Sequence, residues 1–301
     1  MSGSSRSPLA GVTVIDLGQI YNGPYAGFLL AMAGADVIKV EPLEGEPLRK
    51  RGGQNLSLAL AMLNSNKRDI AINLKHAKGK ALLIELAKGA DILLENYAPG
   101  VLDRLGVGAG VLQAANPRLI YASGTGYGLS GPDRDNLAMD LTVQAVGGIM
   151  SINGPPDGPP MKAGLALCDF LGGVHLYAAI MTALYERTVT GIGRVVEVAM
   201  QEAVYPALAT NLTSLHNNGW QQPPRTGNNH PAGTSAPYNV YPAKDGHIAI
   251  ICVREEHWHN LLRAIGHAGS RDDPRFADQL TRARNREAVA APGAGCTADL
   301  P

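Results

Sequence analysis

Short apolar runs alternate along the chain with stretches in which apolar residues recur every third or fourth position. "VTVIDL" (12–17) is a β-branched run suited to a buried strand. The loop "GQIYNGP" follows, then "YAGFLLAMAGA" with helical spacing, then "DVIKVEP", which alternates like a second strand. The pattern repeats through strand "DIAINL" (69–74), helix "KGKALLIELAKGA" (78–90), strand "DILLENY" (91–97), a helix near 100–105 and strand "RLIYASGTGYG" (118–128). A helix over 136–150, a Gly/Pro loop "NGPPDGPP" (153–160) and a helix over 170–187 come next. "TGIG" then turns the chain into strand "RVVEVAM" (194–200), and a further helix runs to about residue 216. Strands alternating with helices of this length predict an α/β fold, a mostly parallel sheet with helices on both faces. Residues 217–243, rich in Asn, Pro and Gly, read as a linker or extended crossing segment. A smaller second α/β domain begins with strand "HIAIICV" (247–253) and helix "EEHWHNLLRAIG" (255–266), and the closing "AVAAPGAGCTADLP" reads as unstructured. The expected division is a large domain over 1–216, a linker over 217–243 and a small domain over 244–301.

Composition changes this picture little. The 301 residues are 45% hydrophobic, enough for a sizeable core, and 26 Lys+Arg balance 26 Asp+Glu. That balance gives no global field for nucleic acid or an anionic membrane. Locally, Arg49, Lys50, Arg51, Lys67, Arg68, Lys75, Lys78 and Lys80 face only Glu46 and Asp69 between residues 45 and 80. Such a run is either a solvated basic face or a site for a small anionic ligand. Cys168, Cys252 and Cys296 are scattered without a CxxC, so neither a disulfide framework nor a zinc site is expected. "MSGSSRSPLAG" lacks the apolar core of a secretory signal. The apolar stretch around Val174–Leu184, interrupted by His175 and Thr182, reads as too short to span a bilayer. A cytoplasmic protein is expected.

Several motifs carry candidate chemistry. Gly18, Gly23 and Gly27 do not have the GxGxxG spacing that lets backbone approach a pyrophosphate, although Glu41 ends the second strand as a dinucleotide reading would ask. No GxxxxGK[ST] is present. His257 and His259, two apart on a helix, point to different faces and make a poor metal site. Cys168 reads as a buried cysteine. Asn96 and Tyr97 fall at the carboxyl end of a strand, where open α/β sheets place ligands, with Arg104 on the next helical segment. Asp169 is a lone acid between an apolar run and Gly172–Gly173, and it reads either as a helix cap or as a nucleophile.

The ordered blocks "LAGVTVIDLGQ", "GPYAGFLLAMAGADVIKVEP", "NSNKRDIAINLK", "DILLENYAPGVLDRLGVG", "NPRLIYASGTGYG", "ALCDFLGGVHLYAAIMTALYERTVTGIGRVVEVAMQEA" and "YPAKDGHIAI" resemble the family III CoA-transferases from about Leu9 to Ala288. That family includes formyl-CoA transferase, L-carnitine CoA-transferase and the 2-methylacyl-CoA racemases. The resemblance implies a Rossmann-like large domain and an interlocked homodimer. It implies Asp169 as nucleophile, Asp140 facing the reacting acyl group, and CoA-binding positions at Asn73, Leu74, Lys75, Asn96, Tyr97 and Arg104. Tyr21 and Asn22 should line the active site. CoA is then a substrate rather than a permanently bound cofactor, the partners are an acyl-CoA and a small carboxylic acid, and no metal is needed.

On that reading Asp169 both caps its helix and attacks the thioester, and Gly172 and Gly173 leave space for the acyl group. The alternatives are a racemase on the same scaffold and an inactive CoA-binding product. Met139, where the racemases hold a proton-transferring histidine, disfavours racemisation. Family chains run further, so the chain is expected to be C-terminally truncated, with 244–301 a partial small domain and the return segment that completes the first domain missing.

Overall fold

The fold was examined in a computed structural model, which describes residues 7–51, 53 and 57–290. The strands are β1 (Thr13–Asp16), β2 (Asp36–Glu41), β3 (Lys67–Ala71), β4 (Ile92–Glu95), β5 (Ile120–Thr125), β6 (Val195–Ala199), β7 (Tyr238–Ala243) and β8 (Gly246–Ile251). The helices are α1 (Asn22–Met32), α2 (Leu58–Asn64), α3 (Ala77–Lys88), α4 (Val101–Arg104), α5 (Ala109–Ala115), α6 (Asp140–Val146), α7 (Ile149–Ile152), α8 (Leu167–Thr190), α9 (Met200–Val204), α10 (Ala209–Asn217), α11 (Glu255–Ala264) and α12 (Gln279–Arg284). They group into two compact units, one of residues 1–147 with 163–206, the other of 148–162 with 207–301. The segment read as a linker, 217–243, lies within the second.

In the first unit six strands form one sheet in the order β3-β2-β1-β4-β5-β6, every neighbouring pair parallel. This is the doubly wound order, and it reverses between β1 and β4. Alternation along β1 divides the interior. Val14 points into a cluster with Leu30, Val37, Ile92, Leu94, Ile120, Leu176 and Ile180, under α1 and α8. Ile15 and Leu17 join Val40, Leu83, Leu93, Leu102, Leu112 and Tyr121 on the other face, under α3, α4 and α5. Full burial of side chains such as Leu176 and Ile180 contributes about 1.5–3 kcal/mol each.

α8 spans 24 residues and is long and apolar enough to cross a bilayer by length and composition, which corrects the reading of Val174–Leu184 as too short. Here it is the central crossover between β5 and β6. Arg187, in its last turn, donates to Asp91 O, Arg118 O and Asp91 Oδ1 (3.2, 3.0 and 2.8 Å), tying it to the strand entries. Gly191, at φ 73°, then ends it in the left-handed conformation that suits glycine.

The second unit pairs β7 and β8 as an antiparallel hairpin. Trp258, Leu262, Phe276, Ala283 and Val289 form its core. Arg282, fully buried, bonds Glu255 and the carbonyls of Ala236 and Phe276.

Three sequence expectations change. The helix expected over 136–150 is two helices, because Gly148 takes φ 86° and breaks it. A strand, β7, lies inside the Pro/Gly-rich 217–243 segment. The strand read over 69–74 ends at Ala71, leaving Asn73, Leu74 and Lys75 in the turn into α3. The closing segment read as unstructured falls, from residue 291 on, outside the described residues.

Candidate active site

Two cavities open at the carboxyl ends of the strands, beside the β1/β4 reversal. The larger, about 490 Å³, is lined by Leu17 and Gln19 after β1, Glu41–Glu44 after β2, Ile72–Lys75 after β3, and Tyr97, Val101, Arg104 and Leu105 after β4. Asn73, Leu74 and Lys75, after β3, and Tyr97 and Arg104, after β4, therefore line one cavity. Of the basic run, Arg49 pairs with Glu41 and Asp69, Lys67 with Asp16 and Arg68 with Asp36. Among the described residues neither Lys75 nor Arg104 has an ion-pair partner, so both keep their charge available to the cavity.

The smaller cavity, about 280 Å³, is lined by Gln19, Ile20 and Asn22, by Asn96–Pro99, by Gly124–Tyr127 after β5, by Arg134 and Asn136–Met139, and by Asp169 and Met200. Gln19 and Tyr97 line both cavities and mark where they meet. Burial pushes the Tyr97 hydroxyl above its ordinary pKa, and a hydrogen bond with Gln19 opposes the shift.

The β1–α1 loop between the cavities is held from below. Asp16 Oδ1 accepts from Gly18 N (2.7 Å), and Lys39 Nζ donates to Gly18 O (2.7 Å). Lys67 Nζ lies 2.7 Å from Asp16 Oδ2, both side chains buried, and removing one partner of such a pair costs about 3–5 kcal/mol. Asn96 clamps Gln19 on both sides, its Oδ1 accepting from Gln19 N (2.7 Å) and its Nδ2 donating to Gln19 O (2.9 Å). Its carboxamide is thus committed to shaping the loop. Ile20 takes φ 63°, rare for a β-branched residue, and its N–H donates to Glu46 Oε2 at 3.2 Å.

Asp169 sits on α8 but is not its cap. Ala166 holds the N-cap position without a side-chain bond, and Asp169 is the third helical residue. The cap comes from α6. Asp140 Oδ1 accepts from Cys168 N (2.8 Å) and Asp169 N (3.2 Å), the two donors an N-cap oxygen normally takes. Among the described residues the Asp169 carboxylate has no hydrogen-bond or ion-pair partner, although it is only 9% exposed. Burial, then the charge of Asp140, pushes its pKa up to about 7, with Arg51 opposing. Cys168 is fully buried and its thiol is pushed up to about 12, mainly by burial, so it is an inert neighbour.

The two glycines after Asp169 serve packing. A Cβ on Gly172 would lie 2.3 Å from Asn22 Nδ2, and one on Gly173 would lie 2.7 Å from Asn22 O. The space expected for the acyl group over Gly172 and Gly173 is therefore filled by α1, and the open cavity beside Asp169 lies on the β5 side. Neither Tyr21 nor Asp140 lines either cavity. Tyr21 stacks on Phe170, ring centroids 5.9 Å apart, and Asp140 faces helix backbone. Gln19, Gly124–Tyr127, Arg134 and Met200 line the site without having been singled out from the sequence. The signal for Gly124–Tyr127 was available, because they end a parallel strand. Among the described residues no group of three or more His, Cys, Asp or Glu could hold a metal ion.

Comparison with known proteins supplies the family. The model described as CoA-transferase family III matches residues 9–298. Acetyl-CoA:oxalate CoA-transferase of Acetobacter aceti is 38% identical over 290 residues, covering 95% of this chain and 74% of that protein. Succinate–glutarate CoA-transferase of Agrobacterium fabrum is 36% identical over 294 residues, covering 94% and 73%. A crystal structure of a CAIB/BAIF family protein from Brucella suis superposes with a TM-score of 0.88 at 34% identity, covering 99% of this chain and 80% of that one. The chain belongs to the family III CoA-transferases, enzymes that move CoA between an acyl-CoA thioester and a carboxylate.

Proposed function

We propose that Asp169 is the nucleophile of this transferase and that the acceptor is a small dicarboxylic acid. The observation that carries the reading is an unbonded carboxylate in a cavity that meets, at Gln19 and Tyr97, a larger cavity bearing two unpaired cations. The larger cavity suits the phosphates of CoA, with Lys75 and Arg104 as their partners, and the thioester then extends past Gln19 toward Asp169. A carboxylate oxygen of Asp169 attacks the thioester carbonyl carbon, the C–S bond breaks, and CoA leaves as thiolate with a mixed anhydride behind it. The thiolate attacks the Asp169 carbonyl carbon and releases the donor acid, forming an aspartyl-CoA thioester. The acceptor carboxylate attacks that thioester, and the freed thiolate completes the exchange on the acceptor's acyl carbon, restoring Asp169. Each step conserves the thioester's energy.

A dicarboxylate is favoured by Arg134, which lines the smaller cavity, and by the oxalate and glutarate in the relatives' names. Met139 lines the same cavity and offers no proton-transfer group, which argues against racemisation. The active form is proposed to be a cytoplasmic homodimer. The test is a matrix of acyl-CoAs against mono- and dicarboxylic acids, with CoA exchange read by mass spectrometry. Dicarboxylates should lead, and Asp169→Asn should lower transfer by orders of magnitude. Near-normal exchange by folded Asp169→Asn would overturn the assignment.

A further inference from the structure

We propose that Asp140 is a positioning residue for the nucleophile: its carboxylate closes the N-terminus of α8 from a neighbouring helix, so that Asp169 keeps a free carboxylate beside a second, fixed negative charge. The inference rests on Asp169 being the nucleophile. An acid in the first turn of a helix is ordinarily drawn to the unsatisfied N–H groups there. In α8 the N-cap residue, Ala166, has no side-chain oxygen to satisfy them. Asp140 Oδ1 takes the donors at Cys168 and Asp169, the two a capping oxygen ordinarily accepts, and the Asp169 side chain makes no hydrogen bond at its own helix end.

Asp140 is itself held. Gln144, one turn later on α6 and fully buried, donates Nε2 to Asp140 Oδ2 (2.6 Å) and to Leu165 O (3.2 Å), and its Oε1 accepts from Ala163 N (2.7 Å). One carboxamide therefore fixes both the capping acid and the segment that enters α8. Neither oxygen of Asp140 is free, so its part in the reaction passes through Asp169.

The charged and titratable groups around Asp169 are Asp140 from α6, Cys168 on its own helix, Arg51 in the turn after residues 47–50, and Arg134, Tyr97 and Tyr127 in the cavity wall. The Coulombic effect of Asp140 adds to burial in pushing the Asp169 pKa up to about 7, and Arg51 opposes it. Removal of Asp140 makes Asp169 ionise at lower pH.

The test is an NMR titration of protein carrying ¹³Cγ-labelled aspartate, with the Asp169 signal assigned by its loss in Asp169→Asn. The wild-type midpoint should lie near 7. In Asp140→Asn, whose amide oxygen still accepts from the helix end, and in Asp140→Ser, which caps with a hydroxyl, it should fall by about half a pH unit or more. At a pH above all the midpoints, Asp140→Ala, lacking any cap, should lower kcat about tenfold further than Asp140→Asn, with little change in the KM for acyl-CoA. A wild-type midpoint near 4, an unchanged midpoint in a folded Asn or Ser variant, or equal kcat for the Asn and Ala variants would overturn the proposal. Failure of the nucleophile assignment shows separately, as transfer retained by Asp169→Asn, because the titration reads no turnover.

Discussion

At the scale of single residues, the site sets charges against one another. Asp169 is raised from its ordinary value to about 7, mainly by burial. A carboxylic acid whose pKa is raised by folding contributes most stability while protonated and loses it as pH climbs through the folded value. The folded chain is therefore strained by Asp169 from about pH 4 upward, fully so above 7, by an amount on the order of 1–4 kcal/mol. Asp169→Asn should melt higher than wild type at pH 8 and nearly equal to it at pH 4, while losing transfer. Calorimetry at the two pH values checks the crossover. Lys75 and Arg104, as phosphate partners proposed above, should act on binding instead. Replacing either with Gln should weaken CoA binding about three- to tenfold, more at low than at high salt, with a smaller effect on kcat. Titration calorimetry across ionic strength distinguishes this from a structural loss, which salt would not scale. Asp169 stood out in the sequence as a lone acid in an apolar stretch. Its relation to Asp140 did not, because the cap comes from 29 residues away in the chain and no local pattern records it.

At the scale of elements, the sequence was legible where periodicity carries the information. All six strands of the first sheet could be read, the buried ones from continuous apolar runs and β2 from its alternation, although β3 lies two to three residues earlier than its run. β7 could not, because Pro242 and the surrounding Asn and Gly look like linker, although a two-stranded hairpin tolerates proline. The start of α8 was read too late because Ala166 gives no cap signal. The α1–α8 contact was likewise hidden. Among the described residues the buried Asn22 finds no partner for either amide atom, and it lies between Gly124 and Gly172, where a Cβ would come within 2.2 and 2.3 Å of it. Gly172→Ala should cost about 1–3 kcal/mol and depress activity by displacing α1 and its loop. Adding Asn22→Ala should recover most of the stability, and a double-mutant cycle of thermal melts measures the coupling. Additive losses would show that the two positions do not share one space.

At the scale of the whole molecule, the first unit leaves large apolar side chains in water. α1 and α2 expose Met32, Leu58 and Met62, and the end of α8 exposes Tyr185 and Val189. Where such side chains adjoin in one patch, they mark an association site. If the proposed homodimer covers it, light scattering should give twice the chain mass, and Met62→Lys or Tyr185→Lys should shift the population toward single chains. A wild-type chain that stays single at all concentrations would leave these residues to another partner.

α8 has a consequence for the order in which the protein comes into being. Every side chain of the larger cavity, and the whole apolar cluster over α3, α4 and α5, belongs to the stretch from Ile15 to Tyr121. The opposite sheet face closes only with Leu176, Ile180 and Ala183. During synthesis a chain that has emerged as far as β5 holds every residue of the larger cavity, yet one face of its sheet is covered only in part, by α1. The helix that completes the cover carries Asp169 in its first turn. If Asp169 is the nucleophile proposed above, the ribosome delivers the reacting carboxylate and the helix that completes this sheet face together, and a half-made chain holds no attacking group to acylate while it waits.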